Sequence, residues 1–161
     1  MKKIVLLFCL SSLFWTFYSA AEKRSVGPVE YIKVAELDNL KYLTRIDTGA
    51  HTTSIHAFDI KVDDDAGEMK DNIGKTITFT TMNEKEEFRT LQAKIVDVVT
   101  IRNAIAKERR YQVELGLGWR GETKKVLVNL SDRKKMSYKL LIGRNWLEGD
   151  YVVDVEMDPE E

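Results

Sequence analysis

The chain has 161 residues, with 25 lysines and arginines against 26 aspartates and glutamates and a formal charge of −1. That near-balance, without a basic stripe, gives no electrostatic reason to expect a nucleic-acid partner. A single cysteine rules out a disulfide framework within the chain, and the length suits one domain with its own core.

The first element is a leader. "MKKIVLLFCLSSLFWTFYSA" carries two lysines, an apolar run and then small residues, the pattern of a secretory signal. Ser19 and Ala21 fit the small-x-small rule, which sets the signal at residues 1–21 and the domain at 22–161. The apolar run of about 15 residues is short for a span that needs about 20. We therefore expect cleavage, no stable membrane insertion afterwards, and a periplasmic or secreted product; a retained anchor is the alternative. Bulky Leu7 and Phe8 before Cys9 argue against lipidation. Cleavage removes Lys2, Lys3 and Cys9, leaving 23 basic against 26 acidic side chains, a charge of −3, and no thiol.

Beyond the leader the hydrophobic period is mostly two, which predicts strands with one buried face. Candidates are 29–36, 40–46, 54–62, 75–81, 139–142 and 151–155. "FRTLQAKIVDVVTI" puts Leu91, Ala93, Ile95, Val99 and Ile101 on one side, with Asp97 the intruder; "YQVELGL" and "KVLVNL" alternate in the same way. Helix is confined to a turn around 131–135 and a short piece at 144–147. The segment 62–74, with its acidic run, reads as a solvated loop. Many short strands with polar turns imply an all-β, closed barrel, because open sheet edges invite aggregation.

Two segments carry chemistry. In "LTRIDTGAHTTSIHAF" a strand ends at Asp47-Thr48-Gly49, which alone reads equally well as an ordinary turn, since Asp and Gly are standard turn residues. In "YKLLIGRNWL" a second apolar run ends at Gly143-Arg144. Together they resemble the retropepsin-like aspartic peptidases, in which hydrophobic-Asp-Thr-Gly-Ala and a later hydrophobic-hydrophobic-Gly-Arg build the active-site floor. From about Pro28 to Val155 the chain is similar to a bacterial, retropepsin-like family often labelled ATP-dependent zinc proteases. The resemblance implies a single-lobe retropepsin-like barrel with Asp47 as catalytic acid. It implies that Thr48 ties the two active-site loops together through its hydroxyl, that Gly49 permits the close backbone approach, that Ile142 and Gly143 pack against that loop, and that Ala50 and Arg144 support it. The viral enzymes pair this arginine with an acidic residue after the motif; here His51, Thr52 and Thr53 stand there.

Amide hydrolysis by activated water needs one group to take a proton and another to give one, and two aspartates sharing a proton supply both. The chain contains one such motif, so catalysis requires a homodimer in which each subunit contributes Asp47. The substrate would be an extended peptide or protein, covered by a hairpin flap turning either at 83–87 or, preferably, around 102–109. The alternative function is a monomeric β-barrel module that binds peptide or cell-envelope material in the same groove without cleaving it.

The zinc and ATP of the family label find little in the residues. The expected domain has no cysteine and only two histidines, His51 and His56, without a His-Glu-x-x-His spacing. We read His56 as a hydrogen-bonded core or cleft residue and His51 as either lining the cleft or lying on a surface loop, and expect no metal and no cofactor. "GEMKDNIGKT" has six residues between its glycines where a phosphate loop has four, and it precedes a strand-like run. Asp150 and Asp154 could share a strand face, but nothing else builds a sugar cleft. Ser54 and Ser131 lack a nucleophile-elbow setting.

Overall fold

The computed structural model describes residues 22–102 and 107–159; the expected leader and residues 103–106 lie outside the described residues. The described chain is all-β. In order it forms β1 (Arg24–Val26), β2 (Val29–Val34), β3 (Leu40–Ile46), β4 (Thr53–His56), β5 (Phe58–Val62), β6 (Thr76–Met82), β7 (Phe88–Lys94), β8 (Asp97–Arg102), β9 (Lys107–Trp119), β10 (Glu122–Ser131) and β11 (Leu140–Ile142). A single helical turn, α1 (Arg144–Leu147), and β12 (Tyr151–Val153) complete it.

The strand order β10-β4-β11-β3-β2-β9 closes on itself, because β9 also pairs with β10 over a long antiparallel ladder. This ring is the closed β structure expected from the alternation, and it has the retropepsin-like form that the resemblance implies. β8 continues it outward from β9, β5-β6-β7 form a separate antiparallel sheet, and β1 pairs in parallel with β12. The β9–β10 turn has two residues, Arg120 and Gly121, both at positive φ (46° and 87°), the primed geometry that matches strand twist.

Alternation works where a strand stays within one sheet. In β6, Ile77, Phe79 and Thr81 are buried while their neighbours are partly exposed, and burying each such apolar side chain stabilises by about 1.5–3 kcal/mol. It misleads where the chain changes sheets. The predicted strand 54–62 is two strands that part at Ala57, with β4 in the barrel and β5 in the small sheet, where Asp59 at φ 50° sits in a register shift. The run from Phe88 to Ile101 also divides. Ile95 donates its N–H to Lys75 O, and Val96 donates to Gln112 O, so the chain leaves β6 for β9. Asp97 is therefore no intruder: it starts β8 in a new phase. Residues 131–135 hold a turn rather than helix, with Lys134 N–H donating to Asp132 Oδ1. The loop 62–74 contains a short 3-10 turn whose Asn72 is fully buried and donates to Asp65 and the Tyr111 hydroxyl.

One end of the core is aromatic. Trp146 lies flat on Tyr151 at 4.1 Å, and Trp119 meets Tyr151 edge-on at 5.5 Å. Glu30, fully buried, is satisfied by Gly27 N–H at 2.8 Å and Trp119 Nε1 at 3.0 Å. Among the described residues no helix is long and apolar enough to cross a membrane.

Candidate active site

β3 delivers Asp47 to the end of the barrel. Ile46 N–H donates to Pro28 O at 3.0 Å and Asp47 N–H to Ile142 O at 2.9 Å, so the strand end is held from both sides. The Asp47 carboxylate then folds back over its own turn. Oδ1 accepts from Gly49 N–H at 2.9 Å and Ala50 N–H at 3.2 Å, and the Asp47 carbonyl also accepts from Ala50. This is the Asp-turn that the residues allow, and it fixes the direction of a half-buried carboxylate. Gly49 is needed for clearance: a Cβ there would stand 3.1 Å from Asp47 Oδ1.

β11 lies between β3 and β4, parallel to the first and antiparallel to the second, and brings Ile142 and Gly143 under this turn. A Cβ on Gly143 would sit 2.5 Å from the Thr52 carbonyl carbon and 2.9 Å from Thr53 N. Only glycine lets the two segments approach this closely. Arg144 N–H donates to Ala50 O at 2.9 Å, and its guanidinium donates to Thr48 O at 3.3 Å. Arg144 thus meets a backbone carbonyl of the Asp47 turn where the viral pattern places a carboxylate. Thr48 is exposed and touches the floor through that carbonyl.

Several residues of the site were not singled out in the sequence. Asn145 Oδ1 accepts from both the N–H and the hydroxyl of Thr53, and its Nδ2 donates to Leu127 O at 2.8 Å. The Thr53 hydroxyl in turn accepts from Gly143 N–H at 3.1 Å. Asn129 donates to Thr53 O at 2.7 Å and Thr52 Oγ1 at 3.2 Å, and its Oδ1 accepts from Arg110 at 3.1 Å. Asn145 lay within the quoted Gly-Arg-Asn run, so its position was available; its role depends on Thr53 arriving from a different strand.

Arg133 was also passed over. Its guanidinium is half-buried and donates to Tyr138 O at 3.1 Å. Burial holds its pKa below the usual arginine value, the Arg110 charge pushes the same way, and Asp47 opposes them. Two cations therefore lie within Coulombic reach of one another beside the Asp47 turn. Ser54 Oγ and Gln112 Nε2 are buried without a hydrogen-bond partner. Asn129 faces Gln112 on one side and Ser54 on the other in adjacent ladders.

The histidines separate. His51 is exposed, and its carbonyl accepts from Asn145 N–H at 3.3 Å. His56 is buried, stacks on Phe58 at 5.4 Å and accepts Arg133 N–H on Nδ1 at 2.9 Å. Burial lowers its pKa, against a backbone hydrogen bond at Ser131 and the nearby Asp132 charge. No group of three or more His, Cys, Asp or Glu among the described residues is arranged to hold a metal. Asp150 is engaged by Lys124 at 2.6 Å, and Asp154 falls beyond the end of β12, so the two do not share a strand.

The two hairpins also differ. The turn 83–87 is pinned at the opposite end of β3: Asn83 Nδ2 donates to Lys41 O, and Leu43 N–H donates to Glu84. The β8–β9 hairpin springs from beside the site through Arg110 and Asn129; its tip, 103–106, lies outside the described residues.

A barrel with an Asp-Thr-Gly turn locked onto a Gly-Arg floor defines the retropepsin class. Residues 25–158 match the RimB-like family, described as retropepsin-like aspartic endopeptidase RimB, and the chain belongs to that family. Curated relatives include proteins named "Probable alpha-L-glutamate ligase". Those of Shewanella pealeana and Desulfotalea psychrophila are each 26% identical, over 80% and 82% of this chain. In both cases the match spans 28% of the relative, so this chain corresponds to about a quarter of those proteins. The crystal structure of Lpg0085 from Legionella pneumophila, a protein of unknown function, shares the fold. Its TM-score is 0.68 at 24% identity, covering 84% of this chain and 96% of that one.

Proposed function

We propose that the chain is an exported aspartic endopeptidase whose active form is a homodimer with one Asp47 from each subunit. The observation that carries this reading is the Asp47 turn: its carboxylate is aimed by two backbone N–H groups, and its backbone is bolted to Ile142, Gly143 and Arg144. One oriented carboxylate lacks a partner acid. Two of them meeting about a two-fold axis share one proton, because adjacent like charges cannot both ionise. The ionised member then takes a proton from water as the water attacks the amide carbonyl, and the protonated member gives one to the carbonyl oxygen. The acid that took the proton from water then delivers it to the amide nitrogen while the other recovers a hydroxyl proton, the C–N bond breaks to give a carboxylic acid and an amine, and the pair again holds one proton.

Arg133 favours a peptide that carries a carboxylate near the scissile bond, Arg110 being paired with Glu108 at 2.6 Å. The glutamate ligases among the relatives suggest glutamate-containing protein as the substrate class. Asp47→Asn keeps an oxygen for the Gly49 and Ala50 donors and so should keep the fold and the dimer while abolishing cleavage. Cleavage by this variant at the wild-type rate would end the assignment. Light scattering on the domain from residue 22 provides the second check, since a strict monomer at every concentration, with or without peptide, would leave a binding module. Export predicts that the protein recovered from the periplasm or medium begins at Glu22.

A further inference from the structure

A second cavity of about 400 Å³ lies away from Asp47, between the β2–β3 ladder and the β9–β10 turn. Lys41, on its rim, is six residues before Asp47 along β3, which at about 3.3 Å per residue puts the two about 20 Å apart. The cavity is built by one row of the barrel. Lys33 stands directly opposite Lys41 in one ladder and opposite Gly118 in the other. Gly118 supplies no side chain, and Thr123 packs over it, its Oγ1 3.2 Å from where a Cβ would stand; a glycine inside a 13-residue strand otherwise weakens it. Tyr31 and Trp119 form walls, with Lys41 5.5 Å from the Tyr31 ring and Arg120 4.6 Å from the Trp119 ring.

The charges in this row do not balance. Like charges directly opposite in an antiparallel ladder are destabilising, yet Lys33 and Lys41 face each other with no carboxylate within ion-pair distance among the described residues. Glu122, the one carboxylate among the described residues that line the cavity, is held by Arg24 at 2.6 Å. Two lysines set opposite each other on a rigid sheet, at the rim of this cavity, are arranged to receive negative charge.

We infer that this cavity is a second, non-catalytic binding site for an oxyanion-bearing ligand, with Lys33 and Lys41 as its principal contacts. Lysine holds such groups as point charges and does not by itself select phosphate over carboxylate, so two probes divide the sources. Calorimetric titration of tripolyphosphate and of citrate into the domain from residue 22, at low ionic strength, should give saturable binding of at least one. The same affinity is expected in Asp47→Asn, which separates this site from the peptidase reading. Preference for tripolyphosphate assigns a phosphate-bearing ligand; preference for citrate assigns a carboxylate-bearing one.

Lys33→Gln/Lys41→Gln should weaken binding at least tenfold with no fall in thermal midpoint, because it removes a repulsive pair. Lys33→Glu alone should weaken it further and serves if the double variant folds poorly. No saturable binding of either probe, or equal affinity in wild type and these variants, overturns the inference.

Discussion

Asn145 Oδ1 accepts two hydrogen bonds from Thr53, one from the backbone N–H and one from the hydroxyl, both at 2.9 Å. The Thr53 hydroxyl passes the connection on to Gly143 N–H, so a side chain of α1 clamps the segment after the Asp47 turn to the floor beneath it. Asn145→Ala would strand Thr53 N–H and Leu127 O together in a part-buried site. With about 1–3 kcal/mol for each unsatisfied group, we expect a loss of about 2–4 kcal/mol in a denaturant titration. Asn145→Asp keeps the acceptor for Thr53 and loses only the donor to Leu127. It should fall between wild type and Asn145→Ala, and equal stability of all three would remove the clamp from the account.

Gly143→Ala probes the same contact by volume. Its φ of −98° is open to any residue, so the requirement for glycine is steric. The added methyl would overlap the Thr52 carbonyl carbon at 2.5 Å, backbone against backbone. Overpacking of this kind costs about 1–3 kcal/mol. The loop must also shift, so peptide cleavage should fall by more than the stability loss predicts. A variant with wild-type melting and wild-type turnover would show that the floor is not rigid.

How far the sequence could be read follows from these contacts. Asp47, Gly49, Gly143 and Arg144 were visible because each works at its own position in a short motif. The strands were visible because β2, β3 and β6 each alternate about one fixed buried face, and because the apolar side chains of β9 and β10 recur at every second position even though burial there extends to both faces. Thr53, Asn145, Asn129 and Arg133 were not, because each acts only through a residue some 75 to 92 positions away or on another strand. The breaks at Ala57 and Ile95 were hidden for a related reason: composition stays strand-like while the hydrogen-bonding partner changes.

His56 makes stability depend on pH. Burial disfavours the imidazolium, and the Arg133 N–H on Nδ1 requires an unprotonated nitrogen. The folded-state pKa therefore lies below the unfolded value of about 6.5. The unfolded chain binds the proton first, so this contribution is complete above that value and is lost as pH falls through the folded pKa. Asp132 opposes the shift, while Lys139 and Arg133 reinforce it. The urea midpoint should fall between pH 7.5 and pH 5.5 in the wild type and change much less in His56→Gln. Parallel curves for the two proteins would assign the slope to other groups.

Arg133 connects the electrostatics of the site to the choice of substrate. Its guanidinium is within electrostatic reach of Asp47 and of Arg110, and it is partly stripped of water. Arg110 is already paired with Glu108 at 2.6 Å, so a carboxylate on the substrate would meet Arg133, and that interaction is stronger in a poorly solvated cleft than in water. Arg133→Gln leaves intact the backbone N–H that holds His56. We expect kcat/KM for a glutamate-flanked peptide to fall about tenfold, about 1.4 kcal/mol, mostly through KM, while a peptide with glutamine in place of glutamate loses little. Added salt should narrow the gap between the two peptides in the wild type, because screening weakens charge recognition and leaves backbone pairing untouched. Equal losses on both peptides would instead mean that Arg133 only props up Tyr138 through its Nε–H bond, and the preference for acidic substrate would have to be dropped.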